Sequence, residues 1–193
     1  MKVKNFTVAT CDIKDIREFI EHWHYSGNVN GVKSKYCFML KSSNDLIGAA
    51  IFAEMGMANV WKKYADSRTE LIELRRLCCI DDTPKNTESY FIGHCLRWLR
   101  RNTDVKKIIS YADMDFGHRG IIYQATNFTY LGMTKKGKVI IFNGKRYHDK
   151  TIRTYHNGKL KPYAVKIAEA LKTGQAFYQE TKGKHIYIYK LVS

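Results

Sequence analysis

Proline is scarce in this sequence: only Pro84 and Pro162 occur in 193 residues. No stretch rich in Gly, Ser or Pro marks a linker, and the length suits one domain with a proper core. Long apolar runs are missing too, so a membrane-spanning helix is not expected. Residues 1–10 alternate lysines with single apolar side chains, the pattern of a first strand rather than of a secretory leader. The five cysteines (Cys11, Cys37, Cys78, Cys79, Cys95) are odd in number and show neither CxxC pairs nor a framework spacing. They read as reduced, mostly buried thiols of a cytoplasmic protein. No GxxxxGK[ST] and no GxGxxG is present, which removes the best support for a kinase-like NTPase or a dinucleotide enzyme.

What is abundant is positive charge. Lys and Arg number 33 against 18 Asp and Glu, a formal net charge of +15. A field of that size attracts polyanions and makes their binding salt-dependent. The cations are uneven: residues 133–166 hold ten Lys and Arg and a single acid, Asp149. Tyr147, Tyr155 and Tyr163 lie among them, as stacking rings do where a protein follows a nucleic-acid strand. Lys135, Lys136, Lys145, Arg146 and Arg153 are the candidate contacts to double-stranded DNA; a basic surface with no partner is the plainer alternative.

Hydrophobic periodicity gives the outline of a fold. Residues 2–10 (with Val3, Phe6 and Val8) suggest a strand, and Asp12 caps a helix reaching Tyr25 with Ile13, Ile16, Phe19, Ile20 and Trp23 on one face. Strands follow at 36–41 and 46–53, joined by a turn at Ser42–Asp45. A strand at 70–80, a loop with Pro84, a helix over 89–101 and a strand at 105–112 make the central unit. A short helix at 118–126, strand-like stretches at 128–133 and 138–142, a helix at 162–172 and a strand at 184–191 complete the chain. The expected class is α/β: one domain, one twisted, partly antiparallel sheet, helices on both faces. Residues 1–155 would form the main domain, with 156–193 a basic extension packed on it.

Three clusters carry chemistry. The loop 81–88 feeds a helix N-terminus, which suits a pyrophosphate, and Asn86, Thr87 and Ser89 add donors there; simple capping explains them as well. In 110–124 (SYADMDFGHRGIIYQ), Asp113 stands at a strand exit ahead of Gly117, His118, Gly120 and Tyr123. A carboxylate so placed can be a base, a metal ligand or a cap. His22, His24, Tyr25 and Ser26 close the first helix, and His24-Tyr25 becomes chemically useful if the fold brings it to Asp113. Cys78 and Cys79, adjacent in a strand, point to opposite faces and make a poor metal pair.

The order of elements resembles that of the GNAT acyltransferases, although DDTPKNTES replaces their usual glycine-rich signature. The segments HYSG (24–27), ELRRLC (73–78) with Asn86 and Ser89, and YADMDFGHRGIIYQATNFTYLG (111–132) resemble the Mom-like phage DNA-modification proteins, a divergent GNAT branch. The resemblance covers roughly residues 1–155. It implies an enzyme that places a methylcarbamoyl group on the N6 amine of adenine in duplex DNA, protecting phage DNA from restriction. It implies His24, Tyr25, Asp113 and Tyr123 as catalytic residues, and Asn86, Ser89 and one of two neighbouring arginines, Arg76 or Arg75, as the site of acetyl-CoA or another acyl-CoA. Iron held by His24 and Asp113 also follows from it. Tyr25, Trp61 and Tyr64 are candidates to receive an extruded base. Two other readings are a GNAT N-acetyltransferase acting on a protein or small-molecule amine, and a non-catalytic phage DNA-binding protein. The oligomeric state is open, a homodimer included.

Overall fold

The alternating start of the chain produces β1 (Phe6–Cys11) in this computed structural model, which describes residues 5–57 and 59–191; residues 2–4 of the expected strand lie outside the described residues. Asp12 and Asp15 then form a reciprocal capping box, the Asp15 carboxylate accepting the Asp12 N–H at 2.9 Å, and open α1 (Ile13–Trp23). The chain continues through β2 (Ser34–Ser42), β3 (Asp45–Ala53), β4 (Leu71–Cys79), α2 (Thr87–Asn102), β5 (Lys107–Asp113), α3 (Ile121–Ala125) and β6 (Thr129–Met133). It then forms β7 (Lys138–Phe142), β8 (Lys145–His148), β9 (Tyr155–His156), β10 (Lys159–Leu160), α4 (Pro162–Lys172), β11 (Ala176–Glu180) and β12 (Lys184–Lys190).

Seven strands make the large sheet in the order β1-β2-β3-β4-β5-β12-β6. The first four are antiparallel neighbours, whereas β4 and β5 run parallel. That parallel pairing is short: Leu71–Leu74 meet Lys107–Ser110, the Ser110 hydroxyl donating to the Leu74 carbonyl at 3.2 Å. Beyond this rung β4 runs on to Cys79 and β5 to Asp113 with no shared register, so the sheet is split at one end. At the same point β4 holds one residue more than β3. Arg76 pairs with Ile51 but Leu74 with Phe52, leaving Arg75 as a β-bulge.

Helices cover both faces of the large sheet. Phe91, Ile92, Cys95 and Leu99 of α2 pack with Phe38, Leu40, Phe52 and Ile72, and Ile16 and Ile20 of α1 pack with Ala49, Ile51 and Ala53. Each fully buried Ile or Phe of these cores contributes roughly 1.5–3 kcal/mol. Cys79 joins the α2 side and Cys78 the α1 side, as alternation demands. The five thiols are free, and burial pushes Cys11 and Cys78 up to about 12.

The chain divides into two compact units, and the division differs from the expected boundary at residue 155. One unit comprises residues up to Gly132 and from His185 onward; the other is Met133–Lys184. The reason is strand pairing. Although last in sequence, β12 lies between β5 and β6 in the large sheet, while β7 and β8 join β11 in a separate three-stranded sheet. That second sheet rests on α4 around Ile140, Ile167, Ala170 and Ala176, and β9 and β10 form a small ribbon. The single sheet expected from periodicity is thus three sheets. Among the described residues no helix is long and apolar enough to cross a membrane.

Candidate active site

His24 ends α1 and starts a tight turn. The backbone N–H of Ser26 donates to His24 Nδ1 at 3.1 Å, and the Ser26 hydroxyl lies 2.9 Å from the same nitrogen. Asn28 Nδ2 donates to the Ser26 carbonyl at 2.7 Å, and Arg76 Nε holds the Asn28 carbonyl at 3.1 Å. The ring is buried, and that burial, with the Arg76 and His118 charges beside it, pushes its pKa down to about 3. A backbone N–H can only donate, so Nδ1 is an acceptor and the neutral ring carries its proton on Nε2. His24 is therefore built as a neutral donor.

Tyr25 extends this turn into an aromatic cluster. Its ring centroid lies 4.3 Å from that of His24, 4.4 Å from Phe116 and 4.8 Å, edge-on, from His118. Phe116 and His118 belong to the loop that leaves β5 at Asp113. Asp113, buried, accepts the Asp115 N–H on its carboxylate at 3.1 Å, and its carbonyl accepts the His118 N–H at 3.2 Å. These bonds wind Met114–Phe116 into one 3-10 turn that Gly117 closes at φ +75°. The fold thus brings HYSG to the Asp113 loop.

The bulge decides how the two arginines of β4 are presented. With one extra residue, Arg75 and Arg76 share the face that carries Glu73. Arg75 Nη1 donates to Glu73 Oε2 at 3.2 Å, and the Gly56 N–H donates to the same oxygen at 3.2 Å. A Cβ on Gly56 would lie 2.1 Å from Arg75 Nη1, so any larger residue there would push the guanidinium from this position. Burial lowers the Arg76 pKa, and Arg75 beside it adds to the effect. Burial likewise raises Tyr123 to about 12, with Tyr25 and Glu73 adding and a Ser110 hydrogen bond opposing. Its phenol stays protonated, while its ring packs on Phe128 and Tyr187 with centroids 5.5 and 5.3 Å away.

At the N-terminus of α2, Asn86 takes a left-handed conformation (φ +72°), and the Ser89 hydroxyl donates to its carbonyl at 3.0 Å. Ser89 borders a pocket of about 250 Å³ shared with Gly93, Arg97, Arg100, Asn127 and Tyr189. Arg97 and Arg100 were not singled out by the sequence reading, because a cation on an exposed helix face is ordinary. Phe116 and His118 carried a motif but no role. Trp61 and Tyr64 pack with Ala65, Leu71, Ile109 and Ile186 in a small core, whereas Tyr25 is 42% exposed. Lys135, Lys136, Lys145, Arg146 and Arg153 are exposed residues of the second unit, Arg153 being paired with Asp149.

Among the described residues no group of three or more His, Cys, Asp or Glu gathers as a metal ion would need. His24 Nδ1 is also engaged by Ser26. These donors do not fit an iron centre, and iron enters no step below.

Residues 5–193 match a family described as the Mom protein family. A methylcarbamoylase named Mom, from Escherichia phage Mu, is 29% identical over 160 residues, covering 80% of this chain and 65% of that protein. The chain therefore matches somewhat less than two thirds of that relative's length. A Vibrio cholerae spermidine N-acetyltransferase superposes with a TM-score of 0.53 at 10% identity, over 97% of this chain and 95% of that one. An Escherichia coli ribosomal-protein-S18-alanine N-acetyltransferase gives 0.52 at 9% identity, over 97% and 95%. A Bacillus subtilis acetyltransferase in complex with CoA gives 0.50 at 10% identity, over 97% and 99%. The fold is that of the GNAT acetyltransferases, as expected.

Proposed function

The chain belongs to the Mom protein family, and from that premise we propose that it is an acyltransferase-like enzyme that modifies the N6 amine of adenine in double-stranded DNA. The product would be N6-methylcarbamoyladenine, the co-substrate acetyl-CoA or another acyl-CoA, and the effect protection of phage DNA from restriction. The observation that carries the reading is the meeting of the His24-Tyr25 turn with the Asp113 loop, next to the split between β4 and β5.

Adenine N6 is a weak nucleophile, because its lone pair is delocalised into the ring, and in a duplex it is paired. The base must leave the stack. Tyr25, an exposed ring flanked by Phe116 and His118, offers a face for it. The Asp113 carboxylate is the group to take the proton leaving N6. His24 Nε2–H and the Tyr123 hydroxyl, both held protonated, are the donors for negative charge developing on an acyl oxygen. Acyl-CoA, when bound, supplies an activated thioester carbon. Asn86 and Ser89, with Arg97 and Arg100 on the adjoining pocket, would hold its phosphates, and Arg75 and Arg76 its acyl end. Plain acetyl transfer leaves a methyl-bearing carbonyl on N6, whereas methylcarbamoyl contains one more nitrogen, so the complete product needs a nitrogen source besides the acyl-CoA.

Nucleoside mass spectrometry of plasmid DNA from cells expressing the chain or its Asp113→Ala variant tests this. A modified deoxyadenosine found only with the intact protein supports the reading, and its mass gives the group. Unmodified DNA beside soluble, folded protein points instead to acetylation of a protein or small-molecule amine.

A further inference from the structure

The second unit contains a pocket that the chemistry above does not use. Its walls come from the turn after β8, the β9–β10 ribbon and the start of α4, and its volume is about 350 Å³. Lys150 and Lys161 contribute cations, and Tyr155 and Tyr163 contribute rings that are 65% and 51% exposed. No carboxylate lines it. The acid next to it in sequence, Asp149, is already paired with Arg153. The Lys150 backbone is fixed from both sides: its N–H donates to His148 Nδ1 at 3.1 Å, and its carbonyl accepts the Thr154 hydroxyl at 2.8 Å.

Cations lacking a lining counter-charge, beside open aromatic rings, match a phosphate with a base attached. The wider field favours a polymer over a free nucleotide. Residues 133–184 hold thirteen Lys and Arg against three Asp and Glu, ten of the chain's fifteen net positive charges. We propose that this pocket receives one nucleotide of a DNA strand, Lys150 and Lys161 taking the phosphate and Tyr155 and Tyr163 stacking on the unpaired base. The choice of DNA rests on the function proposed above; the pocket and its chemistry do not. None of the five basic residues named from the sequence lines it, so it is a separate contact.

The test is fluorescence anisotropy of the full-length protein with one labelled oligonucleotide, presented as a single strand and as a perfect duplex. Stacking on two rings predicts that Tyr155→Ala/Tyr163→Ala weakens single-strand binding by about tenfold or more and duplex binding far less, while Tyr155→Phe/Tyr163→Phe binds like the parent. Lys150→Gln/Lys161→Gln should flatten the log–log salt slope by about 1 to 2. The proposal falls if the alanine pair binds single strands like the parent, if both DNA forms weaken equally, or if free CoA displaces the oligonucleotide. Plasmid nucleoside analysis separates the two readings. Unmodified adenine with ring-dependent binding overturns the catalytic proposal and keeps the pocket. Modified adenine with binding indifferent to the rings does the reverse.

Discussion

His24 is a titratable side chain held in surroundings far from those of water. Its pKa near 3 lies below the ordinary histidine value of 6.5, so in acid the unfolded chain takes up a proton that the folded chain refuses. His24 therefore costs no stability above about pH 6.5, and below it stability falls by up to about 1.4 kcal/mol per pH unit, toward pH 3. Urea titrations at pH 7 and pH 5 should show the parent losing more than His24→Gln; equal losses would remove the buried neutral ring. Asp113→Asn keeps the shape and the hydrogen bond from the Asp115 N–H but removes the base, so adenine modification should drop at least about a hundredfold with an unchanged melting temperature. Modification at the parent's level would take Asp113 out of the reaction. Both residues stood out in the sequence, because HYSG and the Asp113 run are unusual strings. Their proximity did not, since it depends on β4 and β5 setting the α1 turn beside a loop some ninety residues later. Arg97 was passed over for the opposite reason: nothing in its local spacing separates it from an ordinary surface residue, whereas His118 stood in the legible run and only the fold sets its ring against Tyr25.

Elements with strong periodicity were readable from the chain, and α4 was read from Pro162 to Lys172, where it is found. The strands β8 and β11 escaped notice, because KRYH and AFYQE are short and show no clean alternation, and the core they share with α4 and Ile152 is small. The bulge at Arg75 escaped for a deeper reason: an extra residue is visible only against the partner strand. Deleting Arg75 should leave Leu74 and Arg76 on their present faces and the sheet intact, yet reduce adenine modification by about tenfold or more through loss of the Glu73 pair and the local twist. Undiminished modification would show the bulge to be dispensable. The loop before α3 gives a paired test. A Cβ at Gly120 (φ +73°) would lie 2.2 Å from Tyr187 Cε2, whereas at Gly117 (φ +75°) it meets nothing within 4 Å. Gly120→Ala should cost about 2–4 kcal/mol, strain plus overpacking, and Gly117→Ala only about 1–2 kcal/mol. Similar urea midpoints for the two variants would contradict the close approach of Tyr187.

Charge and core are partitioned differently across the molecule. The largest cores belong to the seven-stranded unit, while most of the net charge belongs to Met133–Lys184, which has its own smaller core. DNA affinity should therefore fall steeply with salt, and Lys135→Gln/Lys136→Gln should lower the log–log slope by up to about 2; a flat response in the parent would end the polyanion argument. The charged unit also enters and leaves the chain at neighbouring strands. β6 and β12 adjoin in the large sheet, and past their ends the Thr134 N–H donates to the Lys184 carbonyl at 2.9 Å. A two-residue Asn-Gly turn in place of 135–183 should thus yield a folded protein that CoA still protects against heat but that has lost salt-dependent DNA binding. An insertion whose two ends meet is also a unit of inheritance. Recombination can replace it whole while sparing the rest of the chain, so a lineage carrying this architecture can change the polymer it grips without reinventing the reaction it performs.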